Sequence, residues 1–379
     1  MDFGLTDDQR LLAEAARQFL AGESTPQAVR RIAEDPQGFS PELNRRIAEQ
    51  GWPGLLIPEA YGGLGLGILD AAVILTELGR ALTPAPFLSS GVLATTLFLS
   101  AATAAQRRAW LPRLASGEVT ATVAWLEDSE RFDPAGIKLP ARKARSDQIR
   151  LSGAKLFVLD AQVADVLIVA VRSKRGVGPD GVSLLLVPRD TPNLELTPLP
   201  TIDRTRRAYE VRFDDVAVPR SHLLGGEGKA WKHLARMFDV ACVAIAAESQ
   251  GGAERALEMA VEYAKVREQF GRAIGSFQAV KHMAAESFAD IEPSRSLLWY
   301  AAWAQQAIPK DASRAASMAK ARLGDVYSRV ANRAVQMHGG IGFTWEHDIH
   351  FWFKRAKVNE LSFGTPTWHR ERVAQLSGW

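Results

Sequence analysis

The sequence predicts an α+β protein with an N-terminal helical domain, a small antiparallel β domain and a C-terminal helical bundle. Helical periodicity fills residues 6–116 and returns from residue 226 to the end. Residues 117–225 instead carry short runs of valine, isoleucine and leucine bounded by glycine, proline and aspartate, which is typical of short strands. Because helices and strands are segregated along the chain, the pattern favours α+β layers over an alternating βαβ sheet. We therefore expect domains at 1–116, 117–225 and 226–379.

The N-terminal zone is predicted to be helical with one structured loop. Apolar residues recur at spacings of three and four over residues 11–20, and Ser40-Pro41 has the sequence of an N-cap followed by proline at the first helical position. Further helices are predicted over Leu69–Leu82 and Ala105–Leu114. Residues 58–67 contain four glycines, which disfavour a regular element and predict a loop.

The middle zone is predicted to form short strands and the last zone long helices. The predicted strands are Thr120–Trp125, Gln148–Leu151, Ala164–Val171, Val182–Pro188 and Tyr209–Phe213. The predicted helices of the last zone lie at 229–266, 277–306 and 311–336. No G-x-G-x-x-G motif stands between a strand and a helix, so a Rossmann dinucleotide site is not indicated.

Charge and composition exclude several classes of function. The chain has 46 basic and 43 acidic side chains, and its short arginine runs at 142–145 and 204–207 are too small for a nucleic-acid surface. The single cysteine, Cys242, lies in an apolar helical segment and is expected to be a buried, inert thiol. His347 and His350 have no third ligand in view, so no metal site is predicted. No secretory signal or apolar run of about 18 residues is present, so a cytoplasmic protein without a membrane span is expected.

Five motifs, in order along nearly the whole chain, resemble those of the acyl-CoA dehydrogenase family. They are Pro58-Glu59 with Tyr61-Gly62-Gly63, Phe213–Val216 with Val218-Pro219, Leu224-Gly225 with Gly228, Tyr263–Gln278, and Gln336–Phe343. The resemblance implies the acyl-CoA dehydrogenase fold, an FAD cofactor and an acyl-CoA substrate. It also implies an oligomer, because in the family the last two motifs contact the FAD bound mainly by a neighbouring subunit. An electron-accepting flavoprotein is implied as the redox partner.

The resemblance assigns flavin contacts to particular positions of this chain. They are Arg267, Gln269, Phe270, Gln278, Gln336, Gly339 and Gly340, with Phe157 and Thr365 as further candidates. The chemistry of these types fits the role, since an arginine presents a planar fork of donors to a pyrophosphate. A phenylalanine beside a glycine would place an aromatic face next to backbone that can be approached closely.

The chain departs from the family where the catalytic base is expected. Most members carry a glutamate near the C-terminus in a stretch similar to Tyr-Glu-Gly-Thr, whereas this chain has Phe363 at that position. Members that place the base on an earlier helix would have it at Ala241. Glu248 lies seven residues further, on the same helical face and about 10 Å along the axis. It is the candidate for a relocated base, and the alternative is a structural carboxylate paired with an arginine.

The middle zone also departs from the family. Members usually carry Thr-Glu-Pro-Gly followed by Gly-Ser-Asp to hold the flavin and the thioester, whereas this chain has Trp125–Asp133 without the Gly-Ser-Asp. The family's Trp-Ile-Thr contact is replaced by Phe157-Val158-Leu159, which keeps an aromatic ring and loses the hydroxyl. Groups that reach a neighbour's FAD are thus preserved, and groups that bind the chain's own flavin ring are lost.

This uneven pattern resembles the heteromeric acyl-CoA dehydrogenases of bacterial steroid and unusual acyl-chain breakdown. The leading hypothesis is an FAD-dependent subunit that desaturates an acyl-CoA thioester and shares its site with a second related chain, as an α2β2 heterotetramer. A homotetramer remains open if Glu248 supplies the base. The alternatives are a non-catalytic subunit that lends FAD contacts to a catalytic chain, and a flavin oxygenase on the same fold.

Overall fold

Helices dominate the first and last parts of the chain, and strands dominate the middle. The computed structural model describes residues 4–129, 131–144 and 147–379; residues 1–3, Glu130, Arg145 and Ser146 lie outside the described part. The α-helices are α1 (Asp7–Glu23), α2 (Pro26–Glu34), α3 (Pro41–Glu49), α4 (Ile68–Ala81), α5 (Thr95–Ala101), α6 (Ala104–Ala115), α7 (Trp231–Val266), α8 (Gln278–Ala307), α9 (Pro309–His338), α10 (Ile349–Leu361) and α11 (Pro366–Leu376). The strands are β1 (Ala121–Ala124), β2 (Ala141–Lys143), β3 (Gln148–Leu159), β4 (Val166–Arg172), β5 (Val182–Pro188), β6 (Leu194–Pro198), β7 (Ala208–Pro219), β8 (Glu268–Gln269) and β9 (Arg272–Ala273).

The predicted fold class is confirmed: helices, a small β domain and helices follow one another along the chain. Each predicted helix and strand is present, and β5 has the predicted bounds. The Ser40 cap is also confirmed, because its side chain accepts a hydrogen bond from the backbone N–H of Leu43 at 3.2 Å. A π-helix at Phe87–Ala94 was not predicted, since its apolar residues show no helical periodicity.

Two sheets form the core of the middle zone. One has the order β2-β3-β7-β6 with antiparallel neighbours, and the other has the order β1-β4-β5. In the second sheet β4 and β5 are antiparallel, but β1 and β4 are parallel. The parallel pair is possible because β2 and β3 form the long connection that parallel neighbours require. The sheets bury an apolar cluster that includes Leu151, Val169, Leu185 and Phe213.

The chain divides into two compact units. The helical unit comprises Met1–Ile32, Ile68–Thr83 and Cys242–Trp379, and the β unit comprises Ala33–Gly67 and Pro84–Ala241. The division falls inside α7. The domain boundaries expected from the sequence, at 116 and 225, remain a prediction.

Close backbone contacts hold the centre of the helical unit. Every residue of α7 from Cys242 to Ala253 is buried, as expected for a helix that is apolar on all sides. A Cβ at Gly251 would overlap the carbonyl oxygen of Thr76 on α4, and a Cβ at Gly252 would overlap the ring of Tyr327 on α9. Glycine at these two positions therefore allows α7 to lie directly against both neighbouring helices.

Candidate functional site

A tight hairpin after α7, with the residues on either side of it, presents four of the predicted flavin contacts at the surface. Strands β8 and β9 pair through Gln269 and Arg272, and Phe270 and Gly271 form the turn with φ angles of +56° and +76°. Positive φ at both turn residues is what a type I′ hairpin requires. Arg267, Gln269, Phe270 and, at the start of α8, Gln278 are exposed. Phe270 is 93% exposed at the tip of the turn.

The end of α9 presents the other preserved motif. Gln336, Gly339 and Gly340 are exposed, and a Cβ at either glycine would meet no described atom within 4 Å. Gly339 ends the helix with φ +64° and ψ −144°, a region of backbone conformation that is nearly restricted to glycine. The glycines thus leave bare backbone open to a ligand.

Aromatic stacking brings the hairpin and the end of α9 together in the helical unit. The ring of Tyr263, one turn before Arg267, stacks on the ring of His338 with centroids 4.6 Å apart. His347 lies 4.4 Å from the same imidazole. Burial lowers the pKa of both His338 and His347, so the rings pack as neutral groups at pH 7. Because His338 directly precedes Gly339, the two preserved motifs lie at the same end of the unit.

The loop between α10 and α11 carries Phe363 where the family has its glutamate. Phe363 has φ +56° and a buried ring, and its carbonyl oxygen accepts a hydrogen bond from Nε2 of His369 at 2.8 Å. Nζ of Lys320 donates to the carbonyl oxygens of Gly364, at 2.9 Å, and Glu360, at 3.1 Å. The loop is therefore held by two buried side chains on neighbouring helices. Thr365 caps α11, because its side chain accepts from the backbone N–H of Trp368 at 3.2 Å.

The two side chains that hold this loop are buried and their pKa values are shifted. Burial lowers the pKa of His369 to about 3, with a further contribution from the Lys320 charge. Burial also lowers the pKa of Lys320 to about 8. Sγ of Cys242 lies 3.9 Å from Nε2 of His369, so the buried thiol expected from the sequence is confirmed as part of this packed region.

Glu248 lies in the middle of α7 and is only 4% exposed. A Cβ at Gly79 of α4 would overlap the backbone of Glu248, so α4 covers the helix at this point. The adjacent Ser249 accepts a hydrogen bond from Asn359 of α10 at 3.2 Å. Glu248 has an interaction partner within the fold. Its role as a relocated base stays a prediction.

In the β unit, a bulge in β3 positions Phe157. The register of β3 against β7 shifts between Lys155 and Val158, and Phe157 has φ +54° with half of its surface exposed. The backbone N–H of Leu156 donates to the carbonyl oxygen of Leu126 at 3.0 Å. The two segments that bind a flavin ring in the family, around residue 126 and residue 157, therefore lie side by side.

A buried ion pair fixes the segment at Glu127. Nζ of Lys155 donates to Oε1 of Glu127 at 2.6 Å and to the carbonyl oxygen of Trp125 at 3.2 Å. The same Oε1 accepts from the backbone N–H groups of Lys138, at 2.9 Å, and Leu139, at 3.0 Å. Burial lowers the pKa of Lys155 to about 8, and the Glu127 carboxylate offsets part of the shift.

Family comparisons agree with this geometry over almost the whole chain. The models described as the N-terminal, middle and C-terminal domains of acyl-CoA dehydrogenase match residues 6–118, 122–216 and 228–377. The chain belongs to the acyl-CoA dehydrogenase family. Members are flavoproteins of the oxidoreductase class that use FAD.

Individual acyl-CoA dehydrogenases are similar to the chain over its full length. The acyl-CoA dehydrogenase IpdE2 of Mycolicibacterium smegmatis is 33% identical over 373 residues, which cover 98% of each chain. The butyryl-CoA dehydrogenase of Megasphaera elsdenii superposes with a TM-score of 0.92 at 28% identity and covers 100% of both chains. The ChsE4-ChsE5 complex from Mycobacterium tuberculosis contains a chain that superposes with a TM-score of 0.88 at 28% identity, covering 100% of this chain and 99% of that one.

The exposed residues of the helical unit fit an FAD of the acyl-CoA dehydrogenase type. Arg267 can direct a fork of donors to a pyrophosphate, and Phe270 can cover an apolar face of the dinucleotide. The backbone at Gly339 and Gly340 is open, so a cofactor could approach it closely without meeting a side chain.

Among the described residues, no group of three histidine, cysteine, aspartate or glutamate side chains is arranged to hold a metal ion. No helix there is long and apolar enough to cross a membrane.

The contacts of Lys320 and His369 with the Phe363 loop were not predicted from the sequence. Neither residue stands in a motif. Lys320 lies 43 positions before Phe363, and His369 lies six positions after it. The signal in the sequence is that Lys320 stands among apolar and small residues of a helical pattern. A lysine at such a position is rarely buried unless it has a polar partner.

Proposed function

We propose that this chain is a subunit of an FAD-dependent acyl-CoA dehydrogenase that shares its flavin site with a second, related chain. The observation that supports the proposal most strongly is Phe363, whose buried ring stands at the family's base position. A phenyl ring cannot accept a proton, so the α-proton of the substrate must go to another carboxylate. The exposed contacts at Arg267, Phe270 and Gln336 are meanwhile of the family's types and face away from the chain.

The proposed reaction is α,β-desaturation of an acyl-CoA thioester. A carboxylate would remove the proton from the carbon next to the thioester, and a bound FAD would supply the acceptor for the hydride from the β carbon. An electron-accepting flavoprotein would be needed to take up the two electrons. This chain would contribute binding: Arg267 would hold the pyrophosphate with its guanidinium N–H donors, Gln336 with its amide, and Gly339 and Gly340 with their exposed backbone.

We assign the base to the second chain, in an α2β2 assembly. The ChsE4-ChsE5 complex consists of two different chains, as its name indicates. The similarity of one of its chains to this chain over the whole length supports an assembly of two different chains here. Glu248 in a homotetramer is the competing source of a base. Its partner within the fold and the cover by α4 at Gly79 favour a structural role.

Site-directed variants of the complex with its second chain test this assignment. Glu248→Gln should leave acyl-CoA-dependent bleaching of the flavin unchanged, because the base lies elsewhere. Glu254→Gln is a matched control on the same helix, since Glu254 is a largely buried carboxylate that pairs with Arg295 at 3.1 Å. If bleaching is lost in Glu248→Gln and kept in Glu254→Gln, Glu248 is the base and the shared-site proposal fails.

A second candidate is a non-catalytic subunit that lends its FAD contacts to a complete partner enzyme. The loss of the carboxylate at position 363 also supports this function. The two candidates differ in what the partner does alone: a partner that desaturates acyl-CoA at full rate without this chain supports the second candidate. A flavin oxygenase, which needs no α-proton base, would instead consume oxygen in step with substrate.

A further inference from the structure

Three aromatic rings pack together over the segment of the β unit that corresponds to the family's flavin-ring contacts. Trp125 contacts Phe132 and Phe238 with centroid distances of 5.9 Å in each pair. Phe132 and Phe238 lie 5.4 Å apart. Trp125 and Phe238 are almost fully buried, at 5% and 4% exposure. The three rings, in tilted and edge-to-face arrangements, therefore contact one another, with Phe132 partly buried against the other two.

Three acceptor groups of the same segment already have partners inside the unit. The carbonyl oxygen of Trp125 accepts from Lys155, and that of Leu126 accepts from the backbone of Leu156. Oε1 of Glu127 accepts from Lys155 and from two backbone N–H groups. A flavin ring has a polar edge of nitrogen and oxygen atoms that needs hydrogen-bond partners when it is buried. These three acceptors are engaged within the unit.

In the rest of the described segment, Leu126 and Phe132 have no side-chain hydroxyl or amide, although the family uses Thr-Glu-Pro-Gly and Gly-Ser-Asp here. The hydroxyl of Ser129 is buried and has no hydrogen-bond partner among the described residues. Asp133 pairs with Arg131 and accepts from the backbone N–H of Gly136 at 3.2 Å, so its carboxylate closes its own turn. The packing of Trp125, Phe132 and Phe238 is therefore the feature of the β unit that opposes a flavin ring, in contrast to the exposed residues of the helical unit.

We propose that Phe132, packed between Trp125 and Phe238, is an aromatic plug that prevents the β unit of this chain from binding a flavin ring. This inference rests on the proposed function and adds its structural determinant. Each flavin of the complex is then held by the β unit of the second chain, and this chain supplies only its hairpin and α9 end. Phe157 keeps an exposed ring but has no flavin beside it while Phe132 is in place.

The FAD content of the complex, measured by releasing the flavin and counting it against protein, tests the plug. The wild-type complex should hold one FAD for each pair of chains. Phe132→Ser should raise that content up to about twofold, because a second site of the same kind is opened. The double variant Phe132→Ser with Phe157→Ala should return to the wild-type content, since the ring that would cover the new flavin is gone.

Two further variants separate the plug from a general loss of packing. Phe87→Ser removes a ring from the same unit, where Phe87 contacts Trp52 at 6.5 Å, and should leave the FAD content unchanged. If Phe132→Ser does not fold, Phe132→Leu reduces the ring volume with less disturbance and should give an intermediate increase.

The outcomes distinguish this inference from the proposed function. A wild-type complex that holds one FAD for every chain overturns the plug, even if the complex is an active dehydrogenase. A folded Phe132→Ser complex with unchanged FAD content also overturns it. A complex with one FAD per pair that acyl-CoA fails to reduce contradicts the proposed function and leaves the plug standing.

Discussion

Replacing His369 by glutamine should remove the part of this protein's acid sensitivity that comes from one buried histidine. His369 is fully buried, and its Nε2–H donates to the carbonyl oxygen of Phe363. Burial lowers its pKa from 6.5 to about 3 in the folded chain. The unfolded chain therefore binds a proton between these pH values and the folded chain does not. Stability from this group is complete above pH 6.5 and is lost as the pH falls toward 3.

The size of the effect follows from the shift. Each pH unit below 6.5 costs about 1.4 kcal/mol for one such group. Between pH 7.5 and pH 5 the contribution of His369 to the free energy of unfolding should fall by about 2 kcal/mol. Glutamine does not titrate and can still donate to Phe363, so the variant should lack this decrease.

Urea denaturation at a series of pH values between 7.5 and 5 measures the difference. The free energy of unfolding of His369→Gln should depend less steeply on pH than that of the wild type, by about 2 kcal/mol over the range. His369→Leu should be equally flat but lower throughout by about 1–3 kcal/mol, because it leaves the Phe363 carbonyl without its donor. Equal slopes for His369→Gln and wild type would refute the reasoning.

Four other substitutions, one of them a control, have defined outcomes. Arg267→Lys should weaken FAD retention by the complex about tenfold or more, because an ammonium cannot replace the guanidinium fork, and flavin content after gel filtration measures it; unchanged retention contradicts the contact. Gly339→Ala should lower the free energy of unfolding by about 1–3 kcal/mol, whereas Gly22→Ala, with open space around it in α1, should raise it by up to about 1 kcal/mol. Gly251→Ala should cost about 3 kcal/mol or more, since its Cβ overlaps the carbonyl of Thr76; a melting temperature equal to wild type would be inconsistent with that contact.

Much of the fold follows from local sequence signals. The long helices α7, α8 and α9 were predicted within a few residues because their periodicity continues over many turns. Strand β5 was predicted with its bounds because a glycine precedes it and a proline ends it. The parallel pairing of β1 with β4 could not be predicted, since it depends on which strands meet in space and leaves no mark on either sequence.

The candidate site was predictable only where it consists of motifs. The bare backbone at Gly339 agrees with the exposed backbone expected from its motif, whereas the hairpin that exposes Phe270 was not predicted. The aromatic packing of Phe132 on Phe238 was not predicted, since the two residues lie 106 positions apart along the chain. Contacts of this kind arise from tertiary packing, which periodicity does not encode.

The visible flavin spectrum of the chain purified alone, and again after co-expression with a related acyl-CoA dehydrogenase chain, tests the shared site most directly. The account predicts colourless protein alone and a flavoprotein complex that bleaches on addition of acyl-CoA. A yellow homotetramer that acyl-CoA reduces without any second chain would contradict it.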